Sequence, residues 1–297
     1  MKRLLVLRLS ALGDVIHTIP AVVSLKDGAD ITWVVEAPYA ELVEIVAGVK
    51  TIPVRMKTWM RDPRAGIDAI AKMRNVDASI DFQGLVKSAV FGFLSGARTR
   101  YGFDRDAVRE KPALLFTNRK VKVDVAKHVV DQNLELARGT PLHGARTTAN
   151  WQTFPKEVPG WENAIVLLPG AGKPNKIWPH YRELAKRIGP KALVVWGPGE
   201  RALAETIGAR MAPPTSLREL AWILRTAQLV IGGDTGPLHL ADALGTRVVG
   251  LYGPTDPGRN GPYHQPGRVI DRFRTTKSME SISVEEVMKT LERVLAE

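Results

Sequence analysis

The stretch Gly232-Gly233-Asp234-Thr235-Gly236-Pro237-Leu238-His239 joins a short apolar run at 228–231 to a helix-forming segment that ends near residue 244. Glycines at such a junction let the backbone approach a ligand, and the first turn of a helix presents N–H groups with no partner inside the helix. A phosphate or diphosphate suits that combination. His239, one turn into the helix, either lines the anion site or packs and hydrogen-bonds. Asp14 follows the loop Ser10-Ala11-Leu12-Gly13 at the start of another helix. There it can take a proton from an attacking hydroxyl, or it can satisfy helix N–H groups as a first-turn carboxylate, and the sequence leaves both readings open. The loop Pro169-Gly170-Ala171-Gly172-Lys173-Pro174-Asn175-Lys176 lacks the Lys-Ser or Lys-Thr pair and the glycine spacing of a P-loop. Its lysines either clamp a diphosphate or face water. Glu200, after Gly197-Pro198-Gly199, either accepts hydrogen bonds from ribose hydroxyls or is an ordinary acidic residue at a helix N-terminus. No His, Cys and carboxylate spacing matches a metal site, and no Gly-x-Ser-x-Gly marks a hydrolase elbow. No Gly-x-Gly-x-x-Gly follows the first strand, which disfavours a dinucleotide-dependent dehydrogenase.

Such residues need rigid elements behind them. The pattern predicts strands at 3–9, 31–35 and 78–81, with helices at 14–25 (kinked at Pro20), 39–47, 67–73 and 86–94, and Ser10 capping the first loop. Pro141, Gly144, Pro155, Pro159 and Gly160 then interrupt the periodicity and mark the best linker. A second alternating series follows: strands at 164–168, 192–196, 229–231 and 247–252, helices at 181–188, 201–210, 217–226 and 238–244. Ser216 with Glu219, and Ser283 with Glu286, form capping boxes. The last helix, 284–295, carries Val287, Leu291, Val294 and Leu295 on one face and should dock rather than float. This α/β alternation predicts two doubly wound parallel sheets with a cleft between them, and ligands beyond the carboxyl ends of the strands.

Composition narrows the function. The 297 residues are 44% hydrophobic and 25% charged, ordinary for a folded protein of about two domains. Cysteine is absent, which excludes disulfides and thiolate metal sites and fits a reducing compartment. The opening Met1-Lys2-Arg3-Leu4-Leu5-Val6-Leu7-Arg8 resembles a signal peptide only until Arg8 interrupts it, and it reads as a first strand. No apolar segment approaches the roughly 20 residues that span a bilayer. With 42 basic against 31 acidic residues the net charge is +11, which suits nucleic acid, an anionic membrane surface or an acidic substrate. Basic residues cluster in the first half: Arg55, Lys57, Arg61 and Arg64 around Trp59, then Lys87, then Arg98, Arg100, Arg105 and Arg109, then Arg119, Lys120 and Lys122. No helix-turn-helix, zinc-finger or RNA-recognition signature accompanies them. A non-catalytic basic protein that binds nucleic acid or acidic glycans is the rival from a different class.

Several ordered motifs carry a resemblance. Leu9-Ser10-Ala11-Leu12-Gly13-Asp14-Val15-Ile16-His17-Thr18, Asp81-Phe82-Gln83-Gly84-Leu85-Val86-Lys87-Ser88, Lys176-Ile177-Trp178-Pro179, Asp234-Thr235-Gly236 with His239, and Tyr252-Gly253-Pro254-Thr255-Asp256-Pro257 resemble the bacterial lipopolysaccharide heptosyltransferases, glycosyltransferase family 9. The segment from Arg109-Glu110 to Arg119-Lys120 is more similar to the heptosyltransferase I branch than to heptosyltransferase II. The resemblance implies a GT-B fold: an acceptor-binding Rossmann-like domain at 1–155, a nucleotide-sugar-binding one at 156–275, and a final segment, 276–297, docking back on the body. It implies inverting, metal-independent transfer of heptose from ADP-L-glycero-β-D-manno-heptose to the inner 3-deoxy-D-manno-octulosonic acid (Kdo) of Kdo2-lipid A. No cofactor and no nucleic acid are implied. The protein would sit peripherally on the anionic cytoplasmic face of the inner membrane. Asp14 matches the base. On the donor side are Lys176, Glu200, Asp234, Thr235, Gly236 and His239; on the acceptor side, Ser10, Lys57, Arg61, Gln83, Lys87 and Arg109. The glycine- and proline-rich loop 169–175 departs from the family, which often has paired threonines there. Heptosyltransferase II, or a related transferase using another nucleotide sugar, is the nearest alternative.

Overall fold

Strands apolar on both faces belong in the middle of parallel sheets covered by helices on each side. Strands of this kind include β1 (Lys2–Leu7), β7 (Ile165–Leu168), β10 (Leu229–Gly233) and β11 (Val248–Tyr252), whose residues are buried apart from Lys2 and Arg3. A computed structural model describes residues 1–56 and 63–297 and divides the chain into two compact units, Met1–Thr153 and Phe154–Glu297.

In the first unit, β2 (Ala29–Glu36), β3 (Lys50–Val54), β4 (Ala78–Asp81), β5 (Thr99–Phe103) and β6 (Arg119–Val121) join β1 in the order β3-β2-β1-β4-β5-β6, all parallel. Its longer helices are α1 (Leu12–Leu25), α2 (Pro63–Lys72), α3 (Val86–Leu94) and α4 (Val129–Arg138). The second unit repeats the plan. Here β8 (Ala192–Val194), β9 (Arg210–Met211) and β12 (Val269–Asp271) complete the order β12-β11-β10-β7-β8-β9, again parallel. Its longer helices are α5 (Tyr181–Ile188), α6 (Leu217–Thr226), α7 (Gly236–Ala243) and α8 (Val284–Ala296). Val287, Leu291 and Val294 of α8 enter the same apolar core as Leu167, Val194 and Leu251.

Both sheets reverse direction at one place. In the first unit the chain winds outward on either side of the β1–β4 pair, and in the second on either side of β7–β10. The loops leaving such a pair diverge and open a crevice where ligands of doubly wound sheets bind.

The outer strands depart from the sequence reading. β3, β5, β6, β9 and β12 are short and carry Lys50, Arg100, Arg119, Arg210 or Asp271, so their alternation is weak. Pro53 is tolerated in β3 because that strand lies at a sheet edge. The helix expected at 201–210 stops at Glu205, and Gly208 turns the chain with φ of +73° into β9. Helix α4 was unforeseen because Gln132 and Asn133 interrupt its apolar face. Both are buried, and Asn133 Nδ2 donates to the carbonyl of His17 (3.1 Å) on α1. Helix α1 continues through Pro20, and its cap position is Ala11, with no capping side chain, so Ser10 does not serve as the cap. The Ser216–Glu219 box is complete, whereas at Ser283 only the bond from the Glu286 amide forms.

Candidate active site

In the first unit the β1–β4 crevice is built around a buried arginine. Strand β1 ends in Leu7, and Arg8, 2% exposed, turns its guanidinium beneath the loop that follows β4. Arg8 Nη1 donates to the carbonyl of Phe82, and Nη2 forms an ion pair with Asp14 Oδ1 at 2.5 Å. Nε has no hydrogen-bond partner among the described residues. Burial lowers the Arg8 pKa to about 10, with Asp14 opposing the shift, so it is a cation at neutral pH. Asp14 therefore does not behave as a first-turn carboxylate capping helix amides. Its second partner is Arg109, from the loop after β5, with Nη2 3.2 Å from Oδ1 and 3.4 Å from Oδ2. Burial works against the Asp14 charge, but Arg8 and then Arg109 outweigh it and hold the carboxyl below its ordinary range.

The loop after β4 is fixed by Asp81. Its carboxylate is fully buried and accepts from the amides of Gln83 (2.8 Å) and Gly84 (3.2 Å) and from Ser88 Oγ (3.0 Å). Gly84 adopts φ of +66°, which only glycine takes without strain, so the turn delivers Gln83 back toward β1. There Gln83 Oε1 accepts from the Leu9 amide at 2.8 Å. Burial raises the Asp81 pKa to about 6 despite these donors. Gln83 thus ties two loops together, while Ser10 is half-buried at the mouth of the crevice and Lys87 is exposed on α3. Lys57 and Arg61 lie outside the described residues.

The second unit places a different constellation at β7–β10. Lys176 ends a short 3-10 turn (Pro174–Lys176) in the loop after β7, and its Nζ lies 2.8 Å from Asp234 Oδ2. His239 Nε2, from the first turn of α7, lies 3.1 Å from the other oxygen. Asp234 resists ionisation by burial, but His239 and then Lys176 overcome this and bring its pKa down to about 2. A lysine is thereby held on the carboxylate that stands two residues before α7. That helix begins at Gly236 with Pro237 in its first turn, so the amides of Gly236 and Leu238 have no intrahelical acceptor. Thr235, at the cap position, makes no capping bond, and its buried Oγ1 has no hydrogen-bond partner among the described residues.

Glu200 closes the neighbouring loops. Its Oε2 accepts from the Gly197 amide at 2.7 Å, so it serves the turn before its helix rather than the helix amides. Its carboxylate also fills the space beside Gly170, where an added Cβ would fall 2.0 Å from Glu200 Cδ. The glycine in the loop after β7 is thus the reason the acidic group after β8 can reach that crevice. Among the described residues no group of three or more His, Asp or Glu side chains is arranged to hold a metal ion.

A carboxylate flanked by cations in one unit, and a lysine beside an open helix start in the other, are the parts that group transfer from a phosphorylated donor uses. A profile of glycosyltransferase family 9 (heptosyltransferase) matches residues 70–289. The chain belongs to that family. It is 32% identical over 290 residues to lipopolysaccharide heptosyltransferase 1 of Escherichia coli (strain K12), covering 88% of this chain and 91% of that protein. Lipopolysaccharide heptosyltransferase 2 of the same strain is 31% identical over 123 residues, 36% of this chain. Among solved structures, E. coli heptosyltransferase WaaC with ADP superposes with a TM-score of 0.84 at 29% identity, over 98% of this chain and 99% of that one. The two parallel six-stranded sheets with their helices are the GT-B architecture of this family.

The sequence missed Arg8 as part of the site. Its signal was present, a charged residue directly after a run of apolar residues, and a buried cation of that kind needs a carboxylate partner.

Proposed function

We propose that the protein transfers L-glycero-D-manno-heptose from ADP-L-glycero-β-D-manno-heptose to the inner Kdo of Kdo2-lipid A, with inversion and without a metal. The observation that carries this reading is the Lys176–Asp234–His239 cluster beside the unpartnered first turn of α7. It is a preorganised receptor for a diphosphate leaving group, and the E. coli relative of closely similar fold holds ADP. Identity over 88% of the chain to a heptosyltransferase 1, against 36% to a heptosyltransferase 2, favours the first-heptose reaction.

The chemistry follows from the residues. The acceptor hydroxyl oxygen bonds to the anomeric carbon, the bond from that carbon to the diphosphate oxygen breaks, and ADP departs with the electron pair. The acceptor proton passes to Asp14. Lys176 and the α7 amides meet the negative charge growing on the leaving phosphate, and donors fixed in advance in this way contribute roughly 3–4 kcal/mol each. Asp234 holds Lys176 and accepts from the heptose hydroxyls, Thr235 and Gly236 cradle the diphosphate, and Glu200 accepts from the ribose. Ser10, Gln83, Lys87, Lys57, Arg61 and Arg109 form the acceptor side, whose basic character suits Kdo carboxylates and lipid A phosphates.

The protein works as a peripheral protein on the cytoplasmic face of the inner membrane. Among the described residues no helix is long and apolar enough to cross a membrane. Phe93 (52% exposed) and Leu115 (82%) lie on one flank of the first unit, where the Phe93 and Phe116 rings are 5.9 Å apart and the Arg100 guanidinium lies over Phe93. Exposed Arg98, Arg119 and Lys120 surround this flank in the chain, a pairing of apolar and basic groups that suits anionic lipid. Incubation with the donor and deacylated Kdo2-lipid A, read by mass, tests the central reaction.

A further inference from the structure

Asp14 presents a conflict. A base should have a pKa near the working pH, yet two guanidiniums hold this carboxyl low. The two are unlike each other. Arg8 is buried, anchored on the Phe82 carbonyl and 2.5 Å from Asp14. Arg109 has a side chain 39% exposed, reaches Asp14 only at 3.2–3.5 Å, and makes no other side-chain hydrogen bond or ion pair among the described residues. One carboxylate between two guanidiniums leaves one positive charge in excess, and the exposed partner carries it outward. Among the described residues, the Tyr39 phenol beside the Leu12 amide is pushed further above its ordinary value by burial, and the Asp81 carboxylate is occupied by the Gln83 and Gly84 amides and by Ser88 Oγ.

We propose that Arg109 is a counter-charge shared between Asp14 and the acceptor: it pairs with Asp14 in the free protein and moves onto an acid group of the bound acceptor, leaving Asp14 with Arg8 alone. Base strength is thereby tied to the presence of an anionic acceptor, and a neutral hydroxyl compound or water in the crevice meets a masked carboxylate. Arg109 in this account both contacts the acceptor and sets the charge around Asp14, and the inference rests on the reading of Asp14 as the base. A guanidinium at this distance shifts a carboxyl by about one pKa unit, so its removal is worth about tenfold in proton affinity.

The test is a crossed comparison of kcat at pH 7 with ADP-heptose as donor. Wild type and Arg109→Gln are each given deacylated Kdo2-lipid A, its Kdo methyl ester, and its dephosphorylated form. With the intact acceptor, Arg109→Gln should raise KM while kcat stays within about threefold of wild type, and Arg109→Lys should recover part of the KM. With the acceptor lacking the relevant acid group, wild-type kcat should fall by up to about tenfold, and Arg109→Gln should turn over that acceptor faster than wild type does. Whether the ester or the dephosphorylated acceptor gives this crossing identifies carboxylate or phosphate as the group that draws Arg109 away. A kcat loss in Arg109→Gln that is equal on all three acceptors overturns the proposal, because Arg109 would then act on Asp14 throughout turnover. A second measurement needs no turnover: titration of 13C-labelled Asp14 by NMR, with and without free Kdo. The acid should raise the Asp14 pKa in wild type and its methyl ester should not; no movement with Kdo or inorganic phosphate overturns the proposal. Full turnover by Asp14→Asn, in contrast, removes the reading of Asp14 as base.

Discussion

Replacing Arg8 by methionine probes the buried cation on which the first crevice is built. The substitution keeps the length and apolar stem but deletes the charge paired with Asp14 at 2.5 Å and the donor to the Phe82 carbonyl. Removing one partner of a buried ion pair costs about 3–5 kcal/mol, because the other charge is left desolvated. Asp14 has a side chain 25% exposed and keeps Arg109, so the lower end, about 3 kcal/mol, applies. In a unit of this size that corresponds to a melting temperature lower by roughly 6–12 °C. The double variant Arg8→Met with Asp14→Asn deletes both charges and should recover most of that loss, since neither charge is then left buried without its partner, while the lost donor to the Phe82 carbonyl is not restored. Urea unfolding at pH 7 of the wild type, both single variants and the double variant gives the coupling directly. A loss below about 1 kcal/mol in Arg8→Met, or a double variant as unstable as the sum of the singles, would refute the argument.

In the second unit, the Asp234 carboxyl sits near 2 against an ordinary 3.8, so it stabilises the fold above pH 3.8 and loses that contribution as pH falls through 2. Asp234→Asn should cost roughly 2 kcal/mol at neutral pH, with the gap from wild type narrowing between pH 4 and pH 2; urea midpoints across that range check it, and a constant gap would show that the loss is not one of charge. Membrane association should weaken with salt, with neutral vesicles, and with Phe93→Ser plus Leu115→Ser. Sedimentation indifferent to salt and to anionic lipid would contradict it.

How far the sequence reached depends on what each element had to bury. The central strands were legible because they are apolar on both faces, and the loops at their carboxyl ends already held Asp14, Lys176, Glu200 and Asp234. Edge strands such as β3 and β9 escaped because one flank faces water and their few residues include Lys50 or Arg210. Helix α4 escaped because Asn133 and Gln132 occupy buried positions whose value appears only when α1 supplies partners. The strand order was not legible at all, since it depends on pairings between residues some 74 apart, such as Leu4 with Ala78. Once that order is known, the scattered loops collapse onto one crevice in each unit. Asp14 shows the same limit on a smaller scale: its place at a helix start was readable, whereas its two arginine partners come from the residue after β1 and from a loop 95 residues away.

The central claim is that Asp14 takes the proton as heptose moves from ADP to an acidic lipid headgroup. It is tested most directly by incubating wild type and Asp14→Asn with ADP-heptose and deacylated Kdo2-lipid A and following the acceptor mass, with ADP affinity measured beside it by calorimetry. One added heptose with the wild type, a rate lower by about 10²–10⁴-fold in the variant, and unchanged ADP binding are the predicted results. Turnover by Asp14→Asn at the wild-type rate, or an acceptor left unmodified by the wild type, would contradict the account.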